Sequence, residues 1–325
     1  MRVEKIKLYL LIGSLIGIWC GNFIALKVCL GAMSPLGVTS FRTTAAAIIL
    51  YVIHRLRKDR QCITGLKTSD FVFFFKLAFL GLVLNQLLFI TGLHYTTVAH
   101  SAVIVTFGPL FTLFFAWMQG QERLTRIRVI GMGLSIVGVV CLNLDRDLKL
   151  HTEYLVGDFL TFCGSIAFAY YTVLSKEGSI RYGSVPSTAF TYFAGACVLF
   201  PAGLPSFLSL SSIPLKWNII VSFFYVAVMA SVLAPLIFYY ALRHMSASRF
   251  ASLTYLQPVV TTVSSTLLLS EKLTPTFVLG GCLVLTGVLL TQGSTFRTRH
   301  SKLRGESLEK GFEAAHREKS DDVKL

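Results

Sequence analysis

Residues 101–140 read SAVIVTFGPLFTLFFAWMQGQERLTRIRVIGMGLSIVGVV, and residues 250–289 read FASLTYLQPVVTTVSSTLLLSEKLTPTFVLGGCLVLTGVL. Laid on each other without a gap, 149 residues apart, the two stretches agree at 11 of 40 positions. Composition alone would give roughly three or four for so apolar a pair. The shared positions include Pro109 and Pro258, the turns Glu122-Arg123-Leu124-Thr125 and Glu271-Lys272-Leu273-Thr274, and the glycines Gly131, Gly138 and Gly280, Gly287. The chain is therefore a duplication, and the number of helices in one copy decides the fold.

Of 325 residues, 54% are hydrophobic and only 14% charged, too apolar a balance for a water-soluble core. Apolar runs long enough to cross a ~30 Å hydrocarbon layer fall near 7–29, 35–54, 71–92, 98–118, 126–143, 157–175, 186–204, 217–241, 249–269 and 276–293. These predict an all-α integral membrane protein with ten transmembrane helices, five to a copy. Five is odd, so the second copy enters the bilayer the other way up. The result is two inverted five-helix repeats, 1–149 and 150–294, followed by a polar tail, 295–325, expected to be disordered.

Net charge is +14, but its placement argues against a nucleic-acid partner. The N-terminus, alternate loops and the tail carry 23 of the 30 Lys and Arg, whereas the opposite loops carry only Arg146, Lys149, Lys216 and Lys272. By the positive-inside rule both termini are cytoplasmic, which again requires an even number of spans. The first apolar run is about 22 residues long with no small-residue cleavage site after it, so it reads as an uncleaved helix in the cell membrane rather than a signal peptide. The seven cysteines and the histidines show no metal-ligand spacing, and neither a metal nor a cofactor is expected. No motif of a hydrolase, metalloprotease or phosphate-binding loop is present, and the chain is not read as an enzyme.

Polar groups inside apolar runs are the candidates for function, because each needs a partner in hydrocarbon. Asn22, in Trp19-Cys20-Gly21-Asn22-Phe23, bonds either a neighbouring helix or a solute. Beside it, Gly13, Gly17 and Gly21 form a stripe read as helix packing. Arg42 stands about seven residues, or ~10 Å, inside its helix. It either snorkels outward or faces a cavity and takes a carboxylate or phosphate; its counterpart in the second copy is Thr191. Asn85 and Gln86 are further candidates, as is one member of each pair Tyr170-Tyr171 and Tyr239-Tyr240.

Pro109 and Pro258 each remove a helical hydrogen bond and leave the carbonyls of Val105 and Thr254 without their usual donor, so paired kinks are expected near the repeat axis. Around the second kink Thr254, Tyr255 and Gln257 supply hydrogen-bonding groups. The turn Glu122 to Thr125 and its copy Glu271 to Thr274 read as architecture, with Thr125 and Thr274 as N-caps of the following helices. Lys27 and Lys176 occupy equivalent helix ends and read as interfacial anchors. No Asp or Glu falls in the interior of a span, which disfavours a carboxylate relay for protons or sodium.

The W-x-G-N-F core of helix 1, Pro35 followed by Arg42, the run Gly92-Leu-x-Tyr-Thr-Thr-Val-Ala99, and the twice-written Pro…Glu-Arg/Lys-Leu-Thr…Gly…Gly together resemble the EamA-type branch of the drug/metabolite transporter superfamily. The resemblance implies a basket of ten helices with a central cavity, and export or exchange of small metabolites such as amino acids. The binding residues expected on this reading are Asn22, Arg42, Asn85, Thr254, Tyr255 and Gln257, with Pro109 and Pro258 shaping the cavity. The expected partners are a small-molecule substrate and the lipid bilayer, and a homodimer is left open. A nucleotide-sugar or phosphorylated-sugar exchanger is the nearest rival, and a membrane scaffold or sensor the rival outside transport.

Overall fold

The computed structural model describes residues 2–56, 67–143, 154–208, 216–257, 260 and 279–291, and among these the chain is helical with no strand. We label the helices α1 (Arg2–Leu30), α2 (Pro35–Leu56), α3 (Thr68–Tyr95) and α4 (Val98–Ile104, then Gly108–Met118 after a 3-10 turn at Val105–Phe107). There follow α5 (Arg126–Asn143), α6 (Leu155–Tyr182), α7 (Ser184–Leu208), α8 (Trp217–His244), α9 (Ala247–Leu253) and α10 (Leu279–Thr291). Among the described residues seven of these, α1 to α4 and α6 to α8, are long and apolar enough to cross a membrane, and α10 is a shorter apolar helix. Large apolar side chains such as Leu10, Phe159, Phe224 and Leu289 lie on the outside, as a lipid solvent permits. Pro258, Glu271 and Thr274 lie outside the described residues.

α2 runs along α7, α3 along α6, and α1 along α8. The α3–α6 pair is close because Gly92 faces Gly157: a Cβ on Gly92 would stand 2.7 Å from the Gly157 carbonyl oxygen. Carboxylates fasten both ends of this pair. At one end Asp70 accepts bonds from the Lys67 amide (2.9 Å), Arg181 Nη2 (2.9 Å) and the Tyr182 hydroxyl (2.7 Å). At the other, Asp158 accepts one from Thr96 Oγ1 (2.6 Å).

Several contacts recur at positions 149 residues apart. The Lys27 ammonium donates to the Thr96 carbonyl (2.7 Å), and that of Lys176 to the Met245 carbonyl (2.6 Å). Both lysines thus hold the carbonyl ends of α3 and α8, where a cation also opposes the negative helix terminus, rather than serving as lipid-facing anchors. Where α5 crosses α10, Gly131 meets the carbonyl of Gly287 and Gly138 that of Gly280, each with 2.7 Å from a hypothetical Cβ to the oxygen. Between them Ser135 Oγ donates to the carbonyl of Val284, its own counterpart, at 3.4 Å. α3 and α8 also both carry a π-helical stretch, Phe79–Leu84 and Tyr225–Leu233.

Three details depart from the sequence reading. The Thr125 hydroxyl makes no hydrogen bond, so it does not cap α5; the Glu122 carboxylate does the capping, and on a different helix. Glu122 accepts from the Ser248 amide (3.0 Å) and the Ser248 hydroxyl at the start of α9, and from Arg128 Nη1 (2.8 Å). Of the glycine stripe only Gly21 is packed, against Tyr225, whose hydroxyl reaches the Ile18 carbonyl (3.0 Å); Gly13 and Gly17 face open space. The Val105 carbonyl is not left without a donor, because the 3-10 turn brings it the Gly108 amide. Thr254 obtains the Gln257 amide in the same way, at 2.9 Å.

Candidate functional site

The kinks and π stretches open one space between the helices. A cavity of about 190 Å³ is lined from α1 to α4 and from α6 to α9, with contributions from both halves of the sequence. The π stretches border it through Gly81, Leu82 and Ala230, and the α4 kink through Val105, Gly108 and Pro109. A π turn has one residue too many for its neighbours and often marks a functional position in a helix. Here that extra residue lets Ser231 Oγ donate to the Val226 carbonyl five residues back (2.7 Å).

The same Ser231 oxygen accepts from Arg42 Nε at 2.8 Å, while Arg42 Nη2 reaches only the Ala230 carbonyl, at 3.5 Å. Arg42 is 6% exposed and borders the cavity; it does not snorkel outward. Among the described residues no Asp, Glu or Lys lines the cavity with it. Asn22 is 9% exposed, and its Oδ1 has no hydrogen-bond partner. Gln86 Oε1 is likewise buried and unbonded, and both side chains border the cavity.

Aromatic rings complete the walls. Trp19 packs edge-on against Phe168 (5.9 Å) and Phe250 (6.1 Å), and Phe238 meets Phe250 at 5.3 Å. Phe23 and Phe89 pair edge-to-face at 5.4 Å. The site therefore combines one cation, two unfilled amide acceptors and a largely apolar enclosure, which suits a solute with a polar end and an apolar body.

The expected binding residues are brought together with one exception. Asn22, Arg42, Asn85, Thr254 and Gln257 all border the cavity, as does Pro109. Asn85 spends one of its two amide N–H donors on the Gly164 carbonyl (2.9 Å) and keeps the other with its Oδ1, whereas Thr254 commits its one hydroxyl hydrogen to the Ala251 carbonyl (2.7 Å) and is left as an acceptor. Tyr255 is the exception: it is fully buried in the packed interior and does not reach the cavity. Successive helical residues point ~100° apart, so a neighbour of Thr254 faces elsewhere. By the same geometry Tyr171 borders the cavity, and its hydroxyl bonds that of Tyr239 (3.1 Å), which also accepts from Ser175 (3.3 Å). Sequence reasoning missed Ser231, although it is the single serine between Phe223 and Pro235.

Comparison with known proteins supplies a context for this geometry. The profile of the EamA-like transporter family matches twice, over residues 5–144 and 155–292. An uncharacterized transporter of Archaeoglobus fulgidus is 25% identical over 88% of this chain and 97% of its own length. The uncharacterized inner membrane transporter YedA of Escherichia coli K12 is 26% identical over 85% of this chain and 88% of its own. A solved crystal structure superposes with a TM-score of 0.70 at 17% identity, covering 90% of this chain and 98% of that one.

Proposed function

The chain belongs to the EamA-like transporter family and is a multi-pass membrane protein, and from that premise we propose that it is a secondary transporter exporting or exchanging a small metabolite of about amino-acid size. The observation that carries this reading is the cavity walled by helices from both halves, bordered by Arg42 and by two residues, Asn22 and Gln86, whose side-chain oxygens have no hydrogen-bond partner. Soluble ligands of membrane carriers bind where inverted repeats meet, near mid-membrane.

The proposed architecture is ten spans in two inverted repeats, 1–149 and 150–294, with both termini and the tail 295–325 in the cytoplasm. Support comes from the two family matches and from contacts that repeat every 149 residues, including the glycine crossing of α5 and α10 and the lysine-held ends of α3 and α8. Alternating access then follows from rocking one repeat against the other. In this motion Glu122 is the hinge-side tie, because it joins the α4–α5 turn of the first repeat to the start of α9 in the second. α9 carries Phe250 and Ala251 into the cavity wall, so displacement of that tie moves the wall. A nucleotide-sugar or phosphorylated-sugar exchanger would gather several cations at its site, and Arg42 is the only one bordering this cavity among the described residues.

The test is reconstitution into liposomes loaded with amino acids, hydroxy acids, sugars and amines. Efflux of at least one solute above protein-free liposomes is expected; no flux of any solute by inserted protein would overturn the transport reading.

A further inference from the structure

The charges that face the cavity narrow what can occupy it. Arg42 keeps its charge under all ordinary conditions. It donates to the Ser231 hydroxyl and, at 3.5 Å, to the Ala230 carbonyl. The ion pairs seen among the described residues, Glu122–Arg128 and Asp70–Arg181, lie away from the cavity lining. A guanidinium inside a low-dielectric layer without a carboxylate beside it is unfavourable until an anion arrives. Two further groups in the same cavity await hydrogen-bond donors, namely Asn22 Oδ1 and Gln86 Oε1. The remaining walls combine aromatic rings with aliphatic side chains and a few neutral polar groups such as Thr112, Ser165 and Thr172.

Resting on the transport reading, we infer that the solute carries a net charge of −1, with Arg42 as the residue that selects it. One carboxylate meets the guanidinium, a neutral hydroxyl or amide donor meets Asn22 or Gln86, and an apolar body lies against the rings of Trp19, Phe23 and Phe89. A monoanion brings the occupied cavity to electrical neutrality. A zwitterion carries an ammonium into a site that, among the described residues, already holds one positive charge and no carboxylate, and leaves it net positive; a cation is repelled outright. Ser231 is a positioning residue, fixing the guanidinium from the π stretch of α8. No carboxylate or histidine among the described lining residues offers a proton to cancel the solute's charge, so export without a counter-solute moves one negative charge per event. An inside-negative membrane potential therefore drives the solute outward.

The test uses proteoliposomes loaded with four solutes of nearly one shape: 3-phenyllactate, its neutral amide, phenylalanine and phenethylamine. Phenyllactate is expected to leave at least tenfold faster than phenylalanine, phenethylamine is expected to stay, and a valinomycin-imposed inside-negative potential is expected to accelerate phenyllactate efflux. R42Q should erase the preference for phenyllactate over its amide, R42K should keep it, and S231A should weaken it; where R42Q does not assemble, the wild-type panel and R42K carry the test. Faster movement of phenylalanine or phenethylamine, or an R42Q protein that still discriminates, overturns the charge assignment and leaves the transport reading standing. So does transport of sugars or amines from a broader panel when none of the four moves. Flux of nothing from either panel overturns both.

Discussion

At position 42 the chain accepts the cost of a charge inside hydrocarbon, and the structure places that charge against the cavity, seven residues into α2. Arg42→Leu should therefore abolish transport of the monoanion per reconstituted protein while leaving the thermal unfolding temperature equal or higher, because the residue removed has, among the described residues, no carboxylate partner whose charge would be stranded. A purely structural arginine would show the opposite pattern, and paired flux and melting measurements separate the two. Tyr255→Phe removes a buried hydroxyl that bonds nothing, so transport should be unchanged and stability should hold or rise by up to ~1 kcal/mol. Denaturation of the purified variant in detergent checks this. Asn22 and Arg42 were legible in the sequence because a polar group in an apolar run stands out whatever the helix phase. Tyr255 was misread because the backbone bonds at 254–257 span three residues, Thr254 to Gln257, and an amphipathic side chain there looks the same facing a cavity or a core. Ser231 was invisible as a partner, since only the folded α8 brings it to Arg42.

Helix lengths and termini follow from apolar run length, and α1 to α4 and α6 to α8 fall close to the spans read from sequence. What run length cannot encode is local winding: nothing in FLGLVL or YVAVMASVL distinguishes π from α, and the extra residue is set by the neighbours each turn must fit. The Glu-Arg-Leu-Thr turn shows the same limit. Its architectural role was legible, but not which helix start Glu122 serves, because the amide it accepts from belongs to Ser248 in α9, 126 residues away. Glu122→Ala removes one ion-pair partner of Arg128 and the acceptor of the Ser248 amide at the start of α9, and should destabilise the protein by about 1–3 kcal/mol. Glu122→Gln keeps an acceptor for the Ser248 amide and should cost less; chemical denaturation of both variants gives the order. Gly138→Leu should separate α5 from α10, where a Cβ already meets the Gly280 carbonyl oxygen at 2.7 Å. Loss of a disulfide between cysteines engineered into the two helices would report it.

For the molecule as a whole, duplication supplies a frame, and the cavity is where the two copies differ. Equivalent lysines, glycines and π stretches recur 149 residues apart, whereas Arg42 faces Ser231 and its counterpart Thr191 is bonded instead to the Tyr239 hydroxyl (3.2 Å). The frame was readable because repeated motifs survive in one dimension; the site was only partly so, because it is formed by differences between copies that meet in space. Passage of solute through the cavity between the halves is the proposal on which the others depend. Its most direct measurement is solute efflux from proteoliposomes containing Ala251→Trp, which fills the cavity from α9, beside Gly17→Trp, which adds the same bulk on the open face of α1. Ala251→Trp should stop efflux while Gly17→Trp moves solute at the unmodified rate; undiminished efflux through a folded Ala251→Trp protein would mean that solute takes another path.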